Sequence, residues 1–109
     1  MRETIKAVEH YLGLEKPVKM LIKPKLKCGA LGLYWEIHKG GKLHSHLIHL
    51  SLVYNKYRDL ECLAVHELIH AWQAENGFKD VHGDSFELKA RELENVFGIM
   101  NLYLPDTDK

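Results

Sequence analysis

The sequence predicts an α+β fold in a single small domain over residues 1–109, with an N-terminal helix, about three strands and two further helices. Three observations predict it. Apolar residues recur at helical spacing near both ends, as Ile5, Val8 and Leu12 and again as Phe86, Ala90, Leu93 and Phe97. Between them lie runs rich in aliphatic and aromatic residues, divided by Gly40-Gly41. With 109 residues and 46% hydrophobic content, the chain can bury one modest core.

Each element has its own local reason. Residues 3–12 put Ile5, Val8 and Leu12 on one face of an amphipathic helix that ends near Gly13. Val18–Ile22 and Ala30–His38 read as strands, and Gly40-Gly41 is a natural hairpin turn into a third, Leu43–Tyr54. The run from Leu60 to Gln73 holds no Gly or Pro and many good helix formers, with Asp59 as its N-cap and Gly77 as its stop. Apolar residues lie nearly all round that helix, as expected of a buried central element. Asp84 is placed to cap the last helix, and Glu87 three positions on makes a capping-box-like pattern.

The central helix carries His66-Glu67-Leu68-Ile69-His70. Histidines four apart on a helix are separated by about 400° of rotation and about 6 Å of rise, so both overhang one face. Two such imidazoles can reach one zinc ion at about 2.0–2.1 Å. Glu67, about 100° from His66, is too rotated to be an equal ligand but is near enough to hydrogen-bond a water on the metal. The competing interpretation is a core helix whose histidines bond only to neighbours, yet two histidines and a glutamate are costly to bury without a metal or partners. For the third ligand, His82 in the turn-like stretch Asp80-Val81-His82-Gly83-Asp84 is favoured over Glu87, Glu92 and Glu94.

His66-Glu67-x-x-His70-Ala71 followed by His82-Gly83-x-x-Phe86 at the head of a helix resembles the SprT-like zinc metallopeptidase domain. The resemblance is strong over residues 59–98 and looser upstream, around Ile48-His49-Leu50-Ser51. It implies a small zincin-like fold, one Zn²⁺ per chain held by His66, His70 and His82, and Glu67 as catalytic base. It further implies hydrolysis of peptide bonds in protein substrates through a zinc-bound water. Full-length members carry a C-terminal zinc ribbon with paired cysteines, which this sequence lacks, so the match is to a minimal form. The zinc-hydrolase core is therefore better supported than DNA-directed action. A peptide deformylase also uses this motif but needs a cysteine ligand in a short motif of its own, and neither cysteine has such surroundings. The alternative of another class is a non-catalytic, zinc-stabilised binding module for protein or DNA. Retention of Glu67 speaks against it, because a structural site has no use for a base.

The two cysteines, Cys28 and Cys62, form no CxxC pair and read as lone buried thiols in a reducing compartment. With no apolar run of about 18 residues and no signal-like N-terminus, a soluble cytoplasmic protein without membrane association is expected. Net charge is zero but lopsided: residues 1–58 hold eleven Lys/Arg against four Asp/Glu, and residues 59–109 the reverse, +7 against −7. Lys16, Lys19, Lys23, Lys25 and Lys27 crowd the basic half. Such a run can steer nucleic acid, yet no aromatic residue interleaves it, so autonomous binding through Lys23, Lys25 and Lys27 is expected to be weak or nil. His44 and His46 alternate on one strand face and read as a solvent-facing pair, with His49 on the opposite face packing into the core. Tyr54, Tyr57, Arg58, Arg91 and Tyr103 are candidates to stabilise an oxyanion, with nothing in the sequence to choose among them.

Overall fold

The computed structural model describes residues 2–54 and 58–103. Helix α1 (Arg2–Leu12) buries Ile5, Val8 and Leu12 and stops at Gly13, whose φ of 67° suits a residue without a Cβ. Strands β1 (Val18–Lys23), β2 (Gly32–Lys39) and β3 (Lys42–Ser51) form one sheet in the order β1-β3-β2. β2 and β3 are antiparallel across Gly40-Gly41, both at positive φ (59° and 77°) as a two-residue hairpin turn requires. β1 runs parallel to β3, with Val18 opposite His46 and Lys23 opposite Ser51. A single 3₁₀ turn, Lys27–Gly29, links β1 to β2.

Helix α2 (Leu60–Asn76) packs against α1, β2, β3 and the last helix, α3 (Asp84–Phe97). Its central place explains why residues from Cys62 to Ala71 are buried without a break. Asp59 caps it by accepting from Cys62 N at 2.9 Å, and Gly77, at φ 76°, ends it by donating to Gln73 O. The core gathers Leu63, Leu68 and Ile69 of α2, Val8 of α1, Ile48 and Leu50 of β3 and Phe86 and Leu93 of α3. The described residues thus form a small α+β fold with three α-helices and a three-stranded sheet. Among the described residues no helix is long and apolar enough to cross a membrane.

Several local expectations need correction. Asp84 does not cap α3: Gly83 occupies the cap position without a side-chain bond, and Asp80 reaches across the turn to accept from Ser85 N at 2.7 Å. Glu87 pairs with Arg91 instead of completing a capping box. His46 is no solvent-facing partner of His44. It is buried, because β3 leans under α2 at that end, while His44 stays exposed. His49 is half-buried on the outer sheet face against Trp35, ring centroids 4.7 Å apart, and is not in the core. Cys28 is exposed beside the 3₁₀ turn, whereas Cys62 is buried and donates to Met100 O. β3 ends at Ser51, short of Tyr54, and β2 begins at Gly32.

Candidate metal centre

His66 and His70 come from successive turns of α2, and His82 from the turn that precedes α3. Each offers a ring nitrogen, and the three nitrogens lie within 4.8 Å of one another. Among the described residues this is the group able to hold a metal ion. His66 Nε2 and His82 Nε2 stand 3.3 Å apart. Tetrahedral coordination at about 2.0–2.1 Å separates two ligand nitrogens by roughly 3.3–3.4 Å, so the residues fit a shared ion. Phe86 underlies the cluster, its ring 4.7, 4.8 and 5.0 Å from those of His66, His70 and His82. An apolar floor of this kind restricts ring tilt and excludes water from below.

The tautomers follow from the partners of the other ring nitrogens. Gln73 Nε2 donates to Val81 O at 2.9 Å and to Ser85 Oγ at 3.0 Å, which turns its Oε1 towards His70. His70 Nδ1 therefore carries the proton that Oε1 accepts at 2.9 Å, and in the neutral ring this leaves Nε2 with its lone pair. His66 Nδ1 lies 2.6 Å from Leu102 O and 2.8 Å from Arg58 Nη2. A guanidinium only donates, so Nδ1 serves one of these partners and not both. Donation to Leu102 O leaves the His66 Nε2 lone pair facing His82. Burial first, and then the Arg58 charge, push the His66 pKa from 6.5 down to about 2 against the opposing pull of the Leu102 carbonyl. A neutral imidazole is the form that binds a metal. Tyr103 donates to His82 O at 2.9 Å and so fixes the backbone that carries this residue.

Glu67 is buried, and with His70 and His82 it lines a cleft of about 270 Å³. One wall is β2, through Leu33, Tyr34 and Glu36; the other is the segment after α2, through Phe78 and Val81. Gly32 lies so close to Glu67 that a Cβ there would stand 2.6 Å from Oε2. Behind the β2 wall runs a polar chain centred on the buried His46. Glu75 Oε2 accepts from His46 Nε2 at 2.7 Å, and His46 Nδ1 accepts from Tyr34 Oη at 2.7 Å. Glu75 also accepts from the amides of Glu15 and Lys16 at 2.8 and 3.0 Å. The Tyr34 ring stacks beside His70, centroids 6.2 Å apart.

The structure brings His66, Glu67, His70 and His82 together, as expected. The rival carboxylates are engaged elsewhere: Glu87 with Arg91, Glu92 with Tyr11 and Lys89, and Glu94 with the Leu102 amide. Of the oxyanion candidates, Tyr103 bonds the His82 carbonyl and Arg58 lies beside His66, while Tyr54 and Arg91 do not line the cleft. Tyr57 lies outside the described residues. Gln73 was missed, although its spacing of three from His70 on one helix face was visible in the sequence. The Leu102 carbonyl carries no sequence signal at all. Comparison with protein-family models, with curated proteins and with solved structures finds no match.

Proposed function

We propose that this chain is a zinc-dependent metallopeptidase of the SprT-like kind, hydrolysing peptide bonds in protein substrates. The observation that carries the reading is the convergence of three ring nitrogens within 4.8 Å beside a cleft that His70, His82 and Glu67 line. A set of three imidazoles would favour zinc over harder cations, which prefer oxygen ligands. Bound there, zinc supplies Lewis acidity, lowering a water's pKa and polarising the scissile carbonyl.

The chain's own groups supply the rest. Glu67 takes the proton from the attacking water and passes it to the departing amine. Gln73 and the Leu102 carbonyl hold two ligand rings in the tautomer that leaves Nε2 unprotonated. Among the described residues β2 pairs with β3 alone, so its other edge borders the cleft with backbone groups suited to an extended peptide. Gly32, at the start of that edge, lets backbone and Glu67 approach closely.

Two measurements on one protein test the reading. Purified chain should hold about one zinc, and Glu67→Gln should keep the zinc while hydrolysis of an unfolded protein substrate falls about 10²–10⁴-fold. Equal rates for wild type and Glu67→Gln would remove Glu67 as base. Full zinc occupancy in His82→Ala would remove His82 from the ligands.

A further inference from the structure

The cleft continues past the metal ligands towards the C-terminal end of α2, where its lining changes character. Its floor there is Ala74, the walls are Tyr34 on one side and Phe78 and Val81 on the other. Phe78 and Val81 are 44% and 56% exposed, so two sizeable apolar side chains face water beside a polar centre. Single exposed apolar residues need no explanation, but a pair converging on one cleft does.

Both are held in place. Phe78 stacks on Trp72, rings 5.0 Å apart and 27° from parallel, which fixes the face that it presents. Val81 has a φ of 45°, in the left-handed region that a β-branched residue rarely adopts. Asn or Gly would make the same turn without strain, so the backbone gives no reason for a valine. Its carbonyl is anchored by Gln73, which keeps the strained residue in register with His82. Strain of this kind gathers at ligand-binding sites. On the opposite wall Glu36 brings a carboxylate, 2.9 Å from His38.

We propose that Ala74, Phe78 and Val81, facing Tyr34, form a substrate subsite beside the metal centre that takes one large apolar side chain and rejects an acidic one. The proposal rests on the peptidase reading for its substrate class. A small floor residue leaves depth, the two side walls offer apolar contact, and the Glu36 carboxylate repels negative charge. Selectivity then comes from one residue flanking the scissile bond, and sequence elsewhere along the peptide matters less.

Binding is the readout, so that the test does not depend on turnover. Zinc-loaded Glu67→Gln chain is titrated by fluorescence anisotropy with labelled peptides of Ala, Gly and Ser whose central residue is Leu, Ser or Asp. The Leu peptide should bind roughly tenfold tighter than the Ser peptide, as expected for burying most of one leucine, and the Asp peptide weakest. Phe78→Ser and Val81→Asn, each added to that background, should bring Leu down to the level of Ser with zinc content unchanged. Asn suits the left-handed turn, so Val81→Asn removes apolar surface without adding strain. Leu and Ser peptides binding alike, or discrimination surviving both substitutions, would overturn the subsite. A Leu preference in binding with no cleavage of that peptide by the wild type would uphold the subsite and sink the peptidase reading instead.

Discussion

At the scale of single residues, the candidate ligands were readable because their geometry is local, whereas their supports were not. The four-residue spacing of His66 and His70 fixes their common face whatever the tertiary structure. Gln73 earns its place only once Val81 O and Ser85 Oγ orient its amide, and those atoms arrive through the turn after α2. Gln73→Leu keeps the volume and deletes the bond to His70, so zinc affinity should fall about 10–100-fold in a chelator competition. Glu75 makes a second prediction. Burial works to raise its pKa, but the Glu15 amide, His46 and the Lys16 amide outweigh it and hold it below 4.5. A depressed carboxylate stabilises the fold above its unfolded pKa and loses that contribution as pH falls through the folded value. Metal-free Glu75→Gln should therefore unfold at lower urea than metal-free wild type at pH 7, by about 1–3 kcal/mol. The gap should close as pH drops below about 4.5. A gap independent of pH would mean that packing, not charge, is lost. His46 itself was misjudged because alternation shows which face a residue occupies, not how far along the strand the helix layer extends.

At the scale of elements, α1, α2 and the hairpin followed from periodicity, caps and glycines, all of them signals within a few residues. The start of α3 did not. Asp84 and Asp80 are equally good capping types, and only the fold of the turn decides that Asp80 reaches the Ser85 amide. Strand ends were similarly out of reach, since pairing partners set them: β3 stops at Ser51 because β1 stops at Lys23 opposite it. The meeting of β2 with α2 makes its own prediction. Gly32→Ala places a methyl where Glu67 Oε2 stands, 2.6 Å away. The carboxylate must swing aside, and displacement of a catalytic group by about 1 Å can cost about 10²-fold in rate. Zinc content should remain near one per chain while hydrolysis falls by that order. Unchanged hydrolysis in Gly32→Ala would show that Glu67 tolerates another position.

At the scale of the whole molecule, the +7 and −7 halves of the sequence divide the fold, with the sheet on the basic side and α2 and α3 on the acidic side. Lys23, Lys25 and Lys27 are exposed where β1 ends. Binding to single-stranded DNA is expected to be weak at physiological salt and to decline with a slope of about −0.7 per phosphate neutralised. An anisotropy titration at two salt concentrations checks this, and Lys→Glu at these three positions should abolish the binding without changing zinc content. Tight, salt-resistant binding would point to a DNA-directed protease instead. The strand order β1-β3-β2 also shapes how the chain assembles. The β2–β3 hairpin closes over two residues, a microsecond event, whereas β1 must find a partner 28 positions downstream, Val18 against His46. Loop-closure entropy makes that parallel pairing the slower step. The hairpin that walls the cleft is therefore expected to pair before the N-terminal layer docks. Glu75 ties the segment between α1 and β1 to α2: its carboxylate accepts from the Glu15 and Lys16 amides, so displacement of that segment is passed to α2 five residues beyond His70.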